Sequence, residues 1–211
     1  MANETLVCAA SLVGAYLVGG IPFGFLIGKM RGVDVRTKGS RNIGATNVFR
    51  TVGKGWGLLA FALDVLKGLL PTLAAIRLGG AAYLPLGVGL ACVVGHMLTP
   101  YMGFRGGKGV ATAFGMLIAL LPAHVGCAFA VFALVFALSH YISLGSCSAA
   151  ATLALLVWMP VFGRARWGED LPLSALVTLI ALFIIWKHRS NLARLAHGTE
   201  NKIYLFKERH A

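Results

Sequence analysis

The chain has 211 residues, of which 58% are hydrophobic and only 12% charged, and its mean hydropathy is +0.79. A soluble domain typically holds about 45–50% apolar and about 25% charged residues, so a water-soluble globule and a disordered chain are both excluded. Nineteen Lys and Arg against seven Asp and Glu give a net charge of +12. On an apolar chain this reads as the positive-inside bias of cytoplasmic loops, or as a surface for anionic ligands and lipid, rather than for nucleic acid.

Residues 6–27 carry no charge, which predicts one helix across a hydrocarbon core of ~30 Å. Lys29 and Arg31 follow this stretch rather than precede it, so it is not a secretory signal peptide. Next comes Gly39-Ser40-Arg41-Asn42-Ile43-Gly44-Ala45-Thr46-Asn47-Val48-Phe49-Arg50. Its glycines free backbone N–H groups to converge on an anion, its Ser, Asn and Thr add neutral donors, and Arg50 adds a fork that fits phosphate. A capped turn explains the same residue types equally well.

Residues 56–76 form a second span, with Asp64 and Lys67 inside it at helical i,i+3 spacing. Such charges mark either a functional site or a neutralised structural pair. Residues 81–98 form a third span. Gly103-Phe104-Arg105-Gly106-Gly107-Lys108-Gly109-Val110-Ala111-Thr112 then resembles a P-loop. Met102 and Gly109 break the required G-x-x-x-x-G-K-[ST], and no strand precedes it. Glycines and two cations before a helix start still make an anion site.

Residues 110–138 are apolar throughout, with Pro122 in the middle. Two short helices turning at 121–123 are expected, because charge then falls into place. Residues 145–162 and 171–186 complete seven spans, with Ser143 and Ser146 in a loop on the cytoplasmic face, where they could donate to a ligand. Fifteen Lys and Arg lie on one side, against Arg77, Arg164 and Arg166 on the other. The orientation rule then puts the N-terminus outside and the tail in the cytoplasm. Leaving the last span are Lys187-His188-Arg189-Ser190-Asn191 and, further on, Gly198-Thr199-Glu200. His188 and Asn191 share a helical face, which a purely basic lipid-binding flank does not need. Cys8, Cys92, Cys127 and Cys147 sit in apolar stretches without ligand spacing, so no metal is expected. No G-x-S-x-G elbow is present.

Taken together, the three polar segments resemble those of the bacterial acyl-phosphate:glycerol-3-phosphate acyltransferases, the PlsY family. The likeness spans nearly the whole chain. It rests on Gly39-Ser40-x-Asn42-x-Gly44-Ala45-Thr46-Asn47-x-x-Arg50, on Gly95-His96 through Thr112, and on His188-Arg189-x-Asn191 with Gly198-x-Glu200, while Asp64-x-x-Lys67-Gly68 belongs to the same pattern. Arg41 stands where glycine is frequent, Arg105 where lysine is usual, and Lys187 where arginine is usual.

The resemblance implies one all-α, membrane-embedded domain over 1–211, working without a cofactor at the cytoplasmic face of a bacterial inner membrane. The implied reaction moves a fatty acyl group from acyl phosphate to the 1-hydroxyl of sn-glycerol 3-phosphate. Lysophosphatidate and phosphate are the products. No histidine has Asp five residues later, so the usual acyl-CoA acyltransferase signature is missing. Ser40, Arg50, Lys108, His188 and Asn191 are the implied catalytic set. Asn42, Gly44, Thr46, Asn47, Arg105, Gly106, Gly107, Gly109, Thr112, Ser143, Arg189 and Glu200 are the implied substrate-binding set. Within them, Ser40, Asn42, Thr46 and the glycines face the acyl-phosphate headgroup. Arg50, Lys108, His188 and Asn191 hold glycerol 3-phosphate, and Glu200 anchors the tail. A carrier for organophosphate anions and a lipid-binding scaffold are the competing readings. Against the first stand the lack of an inverted repeat and the placement of the cationic motifs on one face; against the second stands the Gly39–Arg50 motif, which a scaffold does not need.

Overall fold

A computed structural model describes residues 2–79, 81–159 and 171–204. It divides into two compact units, Met1–Pro122 and Ala123–Ala211, and contains no strand among the described residues.

The first unit begins with α1 (Ala2–Gly20) and α2 (Phe23–Met30). The single helix expected over 6–27 is therefore broken, at Ile21-Pro22. Proline has no N–H to donate and its ring crowds the preceding turn. The two pieces still make one apolar stretch, Glu4–Met30, long enough to cross a membrane. The carbonyls freed at the break are used elsewhere in the unit. Gly20 O accepts from Thr99 Oγ1 at 2.6 Å, and Ile21 O from Lys67 Nζ at 2.8 Å.

Next come α3 (Ala45–Thr51), α4 (Lys54–Leu78) and α5 (Leu84–Met97), a 3-10 turn at Pro100–Met102, and α6 (Val110–Leu120). The main contacts are α4 on α6 and α1 on α5. Both are backbone-close. A Cβ at Gly95 would strike the Tyr16 carbonyl, and one at Gly68 the Thr112 carbonyl. Apolar helices gain nothing by leaving lipid for one another, so small residues that let backbones approach drive such packing. Ala15, Ala75, Leu84, Val88 and Cys92 fill the core between α1, α4 and α5. Ile27, Val35, Ile43, Val48 and Ala60 seal the loop of residues 31–44 against the helices.

The second unit holds α7 (Pro122–Ser139), α8 (Ile142–Leu156), α9 (Leu171–Lys187) and α10 (Arg189–Ala196). The long apolar stretch does divide next to Pro122, which opens α7, as proline at a first helical position does. α8 begins earlier than expected, so Ser143 and Ser146 lie on a helix and not in a loop. Ser139 Oγ accepts the Tyr141 N–H, which lets the chain turn within two residues. The expected span over 145–162 is described only to residue 159. Arg164, Arg166, Lys207 and Arg209 lie outside the described residues.

The α1–α2 stretch, α4, α5 with its following turn, and α7 are long and apolar enough to cross a membrane. Among the described residues, the α9–α10 pair, bent by 51°, adds a fifth if it is taken as one span, while α6 and α8 are shorter apolar helices.

Candidate active site

The loop before α3 is shaped by neutral side-chain amides. Asn47, in the first turn of α3, is 1% exposed. Its Oδ1 accepts the Ser40 N–H at 2.9 Å. Its Nδ2 donates to the carbonyls of Val35, Lys38 and Asn42 at 2.8, 3.2 and 2.8 Å. Both polar atoms are thus engaged by backbone, so Asn47 builds the loop. Asn42 Oδ1 takes the Gly44 N–H at 2.8 Å, a side-chain-closed turn. This leaves Ser40 exposed and Thr46 and Arg50 half-buried. Arg41 has φ +56, a left-handed conformation that costs a side-chain-bearing residue about 1–2 kcal/mol. The local strain explains why glycine suits this position.

Asp34 bonds Arg36 through both carboxylate oxygens, the closest at 2.7 Å. Hydrogen bonds from the Arg36 side chain and backbone pull the Asp34 carboxyl down to about 2. The guanidinium also lies 4.7 Å over the Phe25 ring.

The second loop folds back along the end of α5. Gly106 N–H donates to Met97 O at 3.0 Å and Gly107 N–H to His96 O at 3.1 Å. Gly109, at φ +82, caps α6, whose first N–H groups have no intrahelical partner. Lys108 is half-buried beside it. Thr112 is wholly buried, and its hydroxyl has no hydrogen-bond partner among the described residues.

The two loops share a cavity of about 330 Å³, lined by Arg36, Arg41, Asn42, Ile43, Met102, Arg105 and Gly106. The first two motifs, distant in sequence, are thus neighbours in space. Arg36 and Met102 were not legible as site residues. The one signal for Arg36 is the acid two positions before it.

Beneath this loop lies a buried charge cluster. Lys67 Nζ is 2.7 Å from Asp64 Oδ1, with both side chains 2% exposed. The i,i+3 pair is therefore made. Its third member, His96, was unexpected, with Nδ1 3.6 Å from the same oxygen.

In the second unit, His188 lies between α9 and α10 and is 4% exposed. Its Nδ1 is 2.8 Å from Ile184 O. A carbonyl only accepts, so Nδ1 carries a proton. Glu200 gathers the surrounding side chains. Its Oε1 accepts from Asn191 Nδ2 at 2.7 Å and Ser143 Oγ at 3.1 Å, and its Oε2 from Arg194 Nε at 2.7 Å. Burial alone would raise this carboxyl. The hydrogen bonds from Asn191 and Arg194, the guanidinium charge and Ser143 outweigh burial and hold it below the usual value. Gly198 at φ +69 turns the chain out of α10, and Thr199 N–H closes on Arg194 O at 2.8 Å. The Arg189 guanidinium lies 4.3 Å over the Trp186 ring.

The profile of the glycerol-3-phosphate acyltransferase family matches residues 9–198. The chain is 49% identical over 191 residues to a glycerol-3-phosphate acyltransferase of Trichlorobacter lovleyi, covering 90% of this chain and 95% of that one. To that of Geobacter sulfurreducens it is 47% identical over 203 residues, covering 96% and 98%. Among solved structures it is similar to PlsY (YgiH), an integral membrane glycerol 3-phosphate acyltransferase. The glycerol 3-phosphate form matches with TM-score 0.83 and 39% identity, covering 94% of this chain and 96% of that one. The lysophosphatidic acid form matches with TM-score 0.82 and 38% identity.

Proposed function

The chain belongs to the glycerol-3-phosphate acyltransferase family, and on that premise we propose that it acylates the 1-hydroxyl of sn-glycerol 3-phosphate with acyl phosphate as donor. The products are lysophosphatidate and inorganic phosphate. The observation that carries this reading is the cavity shared by the first two motifs, with three arginines in its lining. A compact cationic cavity of this kind suits a phosphate headgroup, and arginine forks suit its oxygens.

In the reaction the C1 hydroxyl oxygen forms a bond to the acyl carbonyl carbon. The bond from that carbon to the phosphate oxygen breaks, and phosphate leaves with the electron pair. The hydroxyl proton ends on phosphate. Because the donor is already activated, the protein's tasks are to align hydroxyl with carbonyl and to stabilise charge. Ser40, Asn42, Thr46, Arg105 and the loop glycines serve the donor headgroup; Arg50, Lys108, His188 and Asn191 serve glycerol 3-phosphate and the developing oxyanion. His188, its tautomer set by Ile184, directs Nε2 to the hydroxyl as a positioning group. A substrate phosphate, with a second pKa of about 6, takes the proton. Asn47, Ser143 and Glu200 act by holding the loops and tail in shape.

The chain works as one unit over 1–211 in a bacterial inner membrane, with its site on the cytoplasmic face and seven crossings. The distribution of Lys and Arg supports this orientation. At about 1.5 Å per residue, α6 reaches about 16 Å and so crosses only when sheathed by neighbouring helices.

Purified full-length protein in liposomes, given palmitoyl phosphate and glycerol 3-phosphate, should release one phosphate per lysophosphatidate formed. Comparable turnover with palmitoyl-CoA would overturn the donor assignment. An externally applied thiol reagent should label Ala2→Cys and spare His210→Cys. Equal labelling at both would rule out the seven-crossing topology.

A further inference from the structure

The turn at Gly106-Gly107 rests on the ring of His96. Gly107 does not adopt a left-handed φ, so its backbone conformation does not demand glycine. Contact does: a Cβ there would run into His96 Nε2, with Cε1 at 2.9 Å and Cδ2 at 3.1 Å. Both N–H groups of the turn are also engaged by the carbonyls of His96 and Met97. The imidazole, 6% exposed, is thus the surface on which the turn is moulded.

The ring is itself fixed from behind. Its Nδ1 faces Asp64 Oδ1 at 3.6 Å, too long for a hydrogen bond but close enough for the buried carboxylate to act on the ring. Lys67 holds the same carboxylate oxygen at 2.7 Å. Lys67 is in turn held by the Ile21 carbonyl and lies 5.5 Å from the centre of the Phe23 ring. A continuous set of contacts therefore runs from the bend between α1 and α2, through Lys67, Asp64 and His96, to Gly107. Neutralising Asp64 requires only Lys67. An imidazole between that pair and the loop adds something else, a rigid floor.

We propose that His96, clamped by the buried Asp64–Lys67 pair, is a positioning residue for the reaction: it sets the shape of the Gly106-Gly107 turn and thereby the fit of the donor phosphate. This inference rests on the reading of that loop as phosphate-binding. His96 touches no substrate and acts through the turn, so its loss should change donor binding more than the chemical step.

Steady-state kinetics of the full-length protein with palmitoyl phosphate test this. His96→Ala should raise the donor KM at least tenfold, with kcat per folded molecule within about threefold and the glycerol 3-phosphate KM unchanged. His96→Leu fills most of the same space and guards against loss of fold; its donor KM should rise three- to tenfold. Gly107→Ala should be worse than wild type in its donor KM, and His96→Ala should relieve it at least threefold in the double variant, because the methyl then occupies the space the ring has left. Equal loss in kcat and in both KM values, or a Gly107→Ala defect that is the same with and without His96, would reduce His96 to packing and overturn the inference. Arg105→Gln reports separately on the underlying reading. An unchanged donor KM there removes the phosphate loop itself. A raised one beside unchanged His96 variants removes only the role of His96.

Discussion

The two cationic regions of the molecule are organised by opposite means. In the loops of the first unit, shape comes from backbone hydrogen bonds, glycines and two neutral amides, Asn47 and Asn42. Among the described residues, no carboxylate lines the cavity there. In the tail of the second unit, shape comes from a single carboxylate, Glu200, which draws in Ser143, Asn191 and Arg194. The difference is instructive. A site built for anions keeps its positive field when neutral groups do the shaping, because a carboxylate would compete with the ligand for the arginines. A structural lock is under no such constraint, and it can hold a guanidinium against an acid. Asp34 qualifies the contrast only slightly, since its pair with Arg36 is exposed and such pairs contribute little.

Lys108→Met offers the sharpest test of the neutral-loop side. It keeps length and removes charge, so kcat/KM should fall at least ~100-fold, about 2.7 kcal/mol of transition-state stabilisation, with the thermal midpoint unchanged. A variant within about threefold of wild type would place Lys108 among charges needed only for orientation.

Asn47→Ala and Glu200→Ala compare the two organisers directly. Each strands several buried polar groups, and each should lose about 2–4 kcal/mol of stability in denaturant unfolding. A Glu200→Ala protein with unaltered stability would break the comparison. Acid should separate the pair further. The Glu200 carboxyl has a folded-state pKa below its unfolded value, about 4.3. Its stabilisation is therefore complete above that pH and is lost as pH falls through the folded value. Wild type and Glu200→Gln should accordingly begin to converge in stability as pH falls below the unfolded value of about 4.3. The Asn47 contribution contains no titrating group and should persist. The exposed Asp34–Arg36 pair opens only as pH falls toward about 2.

His188→Gln retains a donor and an acceptor but cannot cycle a proton. Turnover at saturating substrate should fall only roughly tenfold, ~1.4 kcal/mol. Complete loss with wild-type affinity for glycerol 3-phosphate would make His188 the base. The smallest effect is expected at Arg41→Gly. Relief of the positive φ should add about 0.5 kcal/mol of stability, while loss of one lining cation raises the donor KM two- to threefold. An unchanged KM would show that Arg41 lines the cavity without acting on its contents.

Much of this protein is determined by properties that need no partner. Hydropathy marks apolar helices because transfer into lipid is decided residue by residue. Pro122 marks the break beside α7 because the missing N–H is a local fact. Pro22 carries the same signal, but the uncharged stretch around it reads as one continuous helix. The pairing of Asp64 with Lys67 was legible because helical spacing brings them together. What the tertiary structure alone decided is which polar groups are used inside the protein. In the sequence Asn47 and Ser143 read as substrate-binding and Glu200 as both a member of that set and an anchor of the tail, and the hydrogen bonds of all three go to other protein groups. For Ser143 those partners lie far along the chain. The gathering of Arg36, Arg41 and Arg105 around one cavity, and the placement of His96 beneath Gly107, were equally hidden. Composition and spacing report what a residue offers, whereas long-range contact decides what accepts it.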